Sequence, residues 1–283
     1  MKVERTESTN TLMKELLAKG EWPEGERFLY TGFQTAGRGQ AGNGWESEEG
    51  KNLLCSVLIG NRASDIDHPF YLNVLVSVAV HRVIQSVLCQ AKPVCTLSGE
   101  NREALIVPLG KEAGLTIKWP NDIYWQDKKV AGILIENAII GNEVKYSIAG
   151  IGLNVNQTEW LSNAPNPVSL KLITGAETNI DALMQALMTQ IEAAEAMSEE
   201  QVWTYYREHL YRKEGFWRFI EREVSLAPTM NYSPSLEERD GERFDKSPFL
   251  ARIADILPDG EIVLQDQQGK ERKYHFKQIR YVL

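Results

Sequence analysis

The segment Lys118-Trp119-Pro120-Asn121-Asp122, followed by Lys128-Lys129-Val130-Ala131-Gly132-Ile133-Leu134, constrains the fold more than any other stretch of this chain. It reads as a strand, a tight turn and the start of a second, apolar strand, with lysines, an amide and a carboxylate strung among β-formers. Few buried structural segments need so much polar chemistry. By itself, though, Pro-Asn-Asp flanked by charges also describes a solvated turn. The surrounding pattern adds strands at Phe28–Phe33, Leu53–Ile59, Leu115–Trp119, Val130–Ala138 and Val144–Val155, of which Leu53–Ile59 is apolar enough to be central. Helical spacing predicts a first helix capped by Thr9 or Asn10 and ending near Gly20. A helix over Tyr71–Leu88 is apolar on nearly every side, and another over Ile180–Ala196 is capped by Asn179. Trp203, Tyr206 and Leu210 belong to one more.

Two regions break this texture. Residues 92–114, punctuated by Pro93, Gly99, Pro108 and Gly110, read as an inserted surface loop or hairpin. After Glu221 come a proline- and serine-rich loop, a charged run and short alternating segments at Leu250–Ile256, Ile262–Leu264 and Lys273–Phe276, with an Asp259-Gly260 turn. A small C-terminal β-barrel fits that pattern. The expected division is therefore a domain over 1–230 and a barrel over 231–283.

Several function classes are disfavoured. A formal charge of −8 over 283 residues argues against a surface for duplex nucleic acid, which needs a basic face. The four histidines (His68, His81, His209, His275) have no metal-ligand spacing to one another or to the cysteines, so no metal site is expected. Cys55, Cys89 and Cys95 form no Cys-x-x-Cys pair, and buried reduced thiols are the favoured reading. The N-terminus has no apolar leader and no apolar run approaches a membrane span, so the expectation is a cytoplasmic protein without membrane contact.

Three further elements carry polar or backbone chemistry. Gly37-Arg38-Gly39-Gln40-Ala41-Gly42-Asn43-Gly44-Trp45 is neither a P-loop nor a dinucleotide fingerprint, because no Gly-Lys-Ser/Thr closes it and a strand follows it. Its glycines permit close approach of backbone N–H groups to an anion, and Arg38 adds a guanidinium fork; a flexible surface loop remains the alternative. Ser8-Thr9-Asn10 fits helix caps and ligand contacts about equally. Gly150-Ile151-Gly152-Leu153-Asn154 places glycines inside a strand, where a ligand or another backbone comes close.

Taken together, these motifs resemble the biotin–protein ligase family over most of residues 8–155, with a further likeness in the C-terminal tail. The resemblance implies a mixed α/β sheet backed by helices, as in class II synthetase-like ligases, with a small C-terminal SH3-like β-barrel. It implies ATP-dependent biotinylation of one lysine on a biotin carboxyl carrier domain through biotinyl-AMP, with ATP and Mg²⁺ required and biotin as substrate. The implied biotin contacts are Ser8, Thr9, Asn10, Gln34, Arg38, Gly39, Gln40, Lys129, Gly132, Gly150 and Gly152. The implied nucleotide contacts are Gly37, Arg38, Trp45, Lys118, Asn121, Lys129 and Asn154. Lys129 matches the lysine bridging the biotin carboxylate and the α-phosphate, Lys118 and Asn121 assist the phosphates and Mg²⁺, and Asp122 orients or deprotonates the acceptor lysine, with Arg38 completing the catalytic set. Lys128 reads as a solvated charge.

The chain departs from the family where Gln40 and Asn43 replace arginines. Two fewer cations imply either a grip through Arg38, Lys129 and backbone amides or a readier release of the acyl-adenylate. The Ser-Thr-Asn element begins at residue 8, which implies the short type without an operator-binding helix-turn-helix. A homodimer through Val144–Ile148 as a sheet edge is a further implication. Two other readings stay open: a lipoate or octanoate ligase or transferase of the related fold, and a non-catalytic biotin-binding regulator. The polar set Ser8, Thr9, Asn10 and Gln34 favours a ureido ring over a plain acyl chain.

Overall fold

The computed structural model describes residues 1–40, 43–59, 70–90, 114–140, 143–162, 164–222 and 247–282. The expected 92–114 insertion and Cys95, His68, Ala41 and Gly42 therefore lie outside the described residues, apart from Gly114. Two compact units are present, Met1–Tyr211 and Arg212–Leu283.

The first unit is built on seven strands: β1 (Lys2–Thr6), β2 (Phe28–Gln34), β3 (Leu53–Ile59), β4 (Leu115–Lys118), β5 (Asp122–Trp125), β6 (Lys128–Ile140) and β7 (Glu143–Leu153). Their order across the sheet is β1-β2-β3-β7-β6-β5-β4. β1 runs parallel to β2 and every other neighbour is antiparallel, so the sheet is mixed. Short polar turns between β4, β5 and β6 leave no length for a crossover, which forces the antiparallel pairing there. β1 carries little apolar patterning and was not expected from the sequence.

Side chains directly opposite one another share a face, and the registers sort this sheet cleanly. One face carries Ile133, Ile151 and Cys55 in one row, with Ala131, Leu153 and Leu53 beside them, all buried. The other face carries Gly132, Gly152 and Leu54 in one row, then Leu134, Gly150 and Ser56, then Glu136, Ile148 and Leu58. Helix α1 (Thr9–Lys19) packs by Met13 against Leu29 and Ile148 on this second face. Helices α2 (Tyr71–Gln90), α4 (Ile180–Glu195) and α5 (Glu199–Glu208) pack together, α2 also lying against β4, β5 and β6, while α3 (Leu170–Thr174) is a short addition. Asn179 caps α4 as expected, accepting from the Ala182 N–H at 2.9 Å.

Four expectations change. The N-cap of α1 is Ser8, not Thr9 or Asn10, and it makes no side-chain capping bond, because all three residues are buried and their polar groups face inward. Cys55 is a buried thiol pushed up to about 12 by desolvation, whereas Cys89 is exposed near the end of α2. Within the expected Val144–Ile148 edge, Ser147 and Ile148 are paired on both sides, by β3 and β6, whereas Val144 and Tyr146 pair with β6, so the candidate edge shortens. Helix α2 is, contrary to the sequence reading, long and apolar enough to cross a membrane; here two-thirds of that stretch is buried inside the unit, as befits a core helix.

The second unit is a five-stranded antiparallel sheet, ordered β11-β10-β9-β8-β12, from β8 (Trp217–Glu221), β9 (Phe249–Ile256), β10 (Ile262–Asp266), β11 (Glu271–Tyr274) and β12 (Ile279–Tyr281). β8 pairs with β9 and β12, so Arg212–Glu221 belongs here and the units divide before residue 212 rather than at 230/231. Tyr274 on β11 donates to Glu221 on β8 at 2.5 Å although those strands are not hydrogen-bonded neighbours. The sheet is thus curled on itself around Phe219, Phe249, Tyr274 and Tyr281, a small barrel-like domain.

Candidate active site

The glycine-bearing face of the first sheet collects most of the sequence-selected residues. Gly132 and Gly152 are opposite one another on β6 and β7, and missing side chains leave a shallow floor there. The Trp45 indole lies on that floor: a Cβ on Gly152 would fall 2.7 Å from its Nε1 and 2.8 Å from its Cζ2. A Cβ on Gly132 would fall 2.9 Å from Cζ3 of the same ring and 3.1 Å from Lys129 Nζ. Gly150, one row along, makes room for Asn10, whose Oδ1 a Cβ would meet at 2.6 Å. These glycines are required by close approach rather than by unusual dihedrals.

Lys129 reaches this face because of a bulge. Simple alternation from Gly132 would turn Lys129 to the opposite side. The β5–β6 register slips between Ile123, opposite Ala131, and Tyr124, opposite Lys129, which re-aims the lysine. Its Nζ sits 2.8 Å from Asp122 Oδ1 and 5.7 Å from the Trp45 ring centroid. Lys118 stands opposite Asp122 in the β4–β5 hairpin, its Nζ 3.0 Å from the Tyr124 hydroxyl and 4.4 Å from that ring's centroid. Burial raises the Tyr124 phenol, and Asp122 adds to the shift, so it stays protonated beside this cation. Asn121, in the turn after a cis Trp119-Pro120 bond, donates to Asn73 Oδ1 at 2.7 Å.

A buried polar network forms the opposite wall. Gln34 Oε1 accepts from the Thr9 N–H at 2.8 Å and from the Thr9 hydroxyl at 3.1 Å, which turns Gln34 Nε2 outward, toward Gly37. Ser56 Oγ lies 2.7 Å from Thr9 Oγ1 and donates to Asn10 Oδ1 at 2.5 Å. Asn10 Nδ2 donates to Glu136 Oε2 at 2.7 Å and, more weakly, to the Leu134 carbonyl at 3.4 Å. Among the described residues no protein hydrogen bond is made by Ser8 Oγ, Gln34 Nε2 or the buried Trp45 Nε1.

The glycine loop folds over as a short hairpin. Arg38 bridges Gly44, the Trp45 N–H donates to the Gly37 carbonyl at 2.8 Å, and the Gly39 N–H to the Asn43 carbonyl at 2.7 Å. Arg38 Nη2 pairs with Glu136 Oε2 at 3.0 Å. Gln40, which replaces an arginine of the resemblance, donates to Asn121 Oδ1 at 3.0 Å, so a neutral contact ties the loop to the β4–β5 turn. Asn154 is buried beneath the site; its Nδ2 approaches the carbonyls of Lys129 and Val168 at 3.4 and 3.3 Å, and its Oδ1 has no partner. These contacts brace the start of β6.

Glu136, Ser56 and Asn73 belong to this arrangement and were missed from the sequence. Each left a signal. Ser56 is the one hydroxyl in an apolar strand, and Glu136 is a lone carboxylate in β6, in phase with Gly132 and therefore on the glycine face. No group of three or more His, Cys, Asp and Glu side chains among the described residues could hold a metal ion unaided.

Known proteins are similar to this chain in fold and in part of its sequence. The profile of the biotin/lipoate A/B protein ligase family matches residues 3–154, more than half of the chain. The biotin–[acetyl-CoA-carboxylase] ligase of Mycobacterium tuberculosis is 31% identical over 193 residues, covering 68% of this chain and 62% of that protein. The bifunctional ligase/repressor BirA of Bacillus subtilis is 33% identical over 143 residues, covering 50% of this chain and 36% of its own. The biotin–protein ligase of Homo sapiens is 31% identical over 133 residues, 44% of this chain but 15% of that one. The chain thus spans less than two-thirds of the length of these relatives. Among solved structures, the biotin protein ligase of Aquifex aeolicus in complex with biotin and ATP superposes with a TM-score of 0.68 at 19% identity, covering 100% of this chain and 98% of that one. The Leishmania major biotin protein ligase in complex with biotinyl-5-AMP gives a TM-score of 0.57 at 19% identity, covering 96% and 97%. These two likenesses bear on the fold.

Proposed function

The chain belongs to the biotin/lipoate A/B protein ligase family, and from that premise we propose that it is an ATP-dependent ligase that joins biotin to a lysine of a biotin carboxyl carrier domain. The observation that carries the reading is the Lys129 ammonium, held 2.8 Å from Asp122 beside Trp45 over the Gly132–Gly152 floor, with Thr9, Asn10 and Gln34 forming a polar wall on the same face. Curated relatives named as biotin–[acetyl-CoA-carboxylase] ligases support the choice of acid and acceptor.

In the first step a biotin carboxylate oxygen attacks the α-phosphorus of ATP. A C–O–P bond forms, the bond between the α-phosphorus and its bridging oxygen breaks, and pyrophosphate leaves. Two anions must approach for this, so Lys129 contributes by neutralising charge where it accumulates, with Arg38 and Lys118 adding fixed positive potential. In the second step the acceptor lysine amine attacks the acyl carbon, AMP leaves with the electron pair, and Asp122 takes the amine proton. Trp45 offers the adenine a flat apolar platform. Ser8 and Gln34 present hydroxyl and amide groups in the pattern that a cyclic urea needs. Mg²⁺, as the counter-ion of the ATP phosphates, would supply charge neutralisation there, and Asn121 would offer it a neutral oxygen ligand. The same reading places the protein in the cytoplasm, acting on a carboxylase carrier domain and not on nucleic acid.

The test is biotin-dependent ATP–pyrophosphate exchange, with lipoate and octanoate as comparison acids. Exchange with biotin alone is expected; exchange with lipoate or octanoate alone would refute the choice of acid, and binding of biotin without exchange would refute the ligase.

A further inference from the structure

Glu136 is a carboxylate on β6 that helix α1 and the glycine loop share. Its Oε2 accepts from Asn10 Nδ2 at 2.7 Å, on helix α1, and from Arg38 Nη2 at 3.0 Å, on the glycine loop. Its Oε1 accepts from Lys14 Nζ at 2.6 Å, one turn further along α1. The side chain is 20% exposed, against 45% for Arg38 and 38% for Lys14, so the carboxylate is more sheltered than either cation. All three neighbours are donors. Only an acceptor-only group satisfies them together, and a neutral amide would have to turn an N–H toward one of them. Desolvation pulls the carboxyl up, but the bonds from Lys14 and Asn10 with the charges of Lys14 and Arg38 outweigh it and hold it below its ordinary value.

The partners depend on Glu136 unequally. Asn10 has a second acceptor in the Leu134 carbonyl and a donor in Ser56, so its amide orientation survives without Glu136. Lys14 lies outside the glycine floor. Arg38, on a glycine-rich loop with nearly half its side chain exposed, has Glu136 as its ion pair. We infer that Glu136 is a positioning residue for binding of the carboxylic acid substrate, acting through Arg38: it holds the guanidinium by one nitrogen over the glycine face and leaves its remaining N–H groups directed to an incoming anion. The inference rests on the function proposed above. A preset guanidinium avoids the ordering cost that a free arginine side chain would incur on binding.

The experiment is a double-mutant cycle read as Kd for biotin by titration calorimetry and as KM and kcat in pyrophosphate exchange, with thermal melting recorded for each variant. Glu136→Gln is expected to weaken biotin binding about tenfold or more, the scale of a charged hydrogen bond, with kcat changed less than about threefold. Glu136→Asp keeps the charge and should recover part of the loss; it also serves as the reading if Glu136→Gln does not fold. Lys14→Ala removes a cation from the same carboxylate and should change Kd less than about twofold. In the Arg38→Ala background, Glu136→Gln should add less than about twofold. Full multiplication of the two effects, or an unchanged Kd in Glu136→Gln, would overturn the inference and leave the ligase reading standing. If the wild-type protein binds octanoate or lipoate instead of biotin, the substrate reading falls and the Glu136–Arg38 coupling is read with that acid. Binding of none of these acids by the wild-type protein would overturn both.

Discussion

Replacing Gly152 by alanine should separate stability from activity in this protein. The new methyl would lie closest to Cε2 of Trp45, then 2.7 Å from Nε1 and 2.8 Å from Cζ2, whereas ordinary contact begins at 3.4 Å, so the indole must retreat by about 1 Å. Gly152 lies in β7, paired with Leu54 on one side and Gly132 on the other, and cannot move. Trp45 ends a glycine-rich loop and can. The strain therefore resolves by loop displacement, and the stability cost should fall at the low end of the overpacking range, about 1 kcal/mol, or roughly 2–4 °C in Tm for a unit of this size. The functional cost is larger. Trp45 would carry the nucleotide on one side and contact Lys129 on the other, and misplacement approaching 1 Å in a reacting constellation costs up to about 100-fold. Pyrophosphate exchange should thus lose roughly 10- to 100-fold in kcat/KM, mostly as KM for ATP. Trp45→Phe, which shortens the ring system, should recover part of that loss in the Gly152→Ala background. Unchanged exchange in Gly152→Ala, or a double variant whose losses simply multiply, would refute the claim that the glycine exists to seat the indole.

Three further outcomes follow from the same geometry. Lys129→Ala should abolish most exchange, about 10³-fold or more, while Tm changes little because the Lys129–Asp122 pair is nearly a third exposed on each side; a large Tm loss in a melting scan would instead mark the pair as structural. Gln40→Arg gives up the neutral contact with Asn121 but adds a cation beside the site, so release of biotinyl-AMP in the absence of acceptor, followed by chromatography, should slow; unchanged release would show that charge at this position does not set retention. His81 supplies the pH dependence. Its pKa is pushed down to about 3 by burial, with the neighbouring His209 adding to the shift, while the unfolded value is 6.5. The unfolded chain therefore takes up a proton below pH 6.5 that the folded chain refuses until about 3, so stability falls as pH drops through that window. A neutral His81→Phe variant should show a shallower loss of Tm between pH 6.5 and 4, and an unaltered slope would remove His81 as the source.

Much of the site was legible as residue type and spacing. Lys118 and Asp122 do share one face, and Gly132, Gly150 and Gly152 do mark close approaches, because a turn of fixed length and a period of two leave few ways to arrange them; Lys129 joins them only through the bulge. Glu136 and Ser56 stayed hidden because one polar residue within an apolar strand is ambiguous until the strand's neighbours are known. Ser8, Thr9 and Asn10 looked like caps because the same hydroxyl and amide groups serve either purpose. β1 and β8 lacked the alternation that would announce a strand, and the boundary near residue 212 was missed with β8, since membership of a sheet is decided by hydrogen bonds to distant residues.

The sequence by itself determined which chemistry is present: cations and a carboxylate in a strand–turn–strand, glycines inside a strand where another group comes close, an apolar helix over 71–88 and a formal charge of −8. Only the tertiary structure decided which way those groups point. A bulge opposite Tyr124 turns Lys129 onto the glycine face, Trp45 crosses from its loop to lie on Gly152, and Glu136 gathers Asn10, Lys14 and Arg38 from segments up to 126 residues away. Spacing along a strand fixes alternation, but a single inserted residue reverses it, and contacts across the sheet depend on a register that local sequence does not contain.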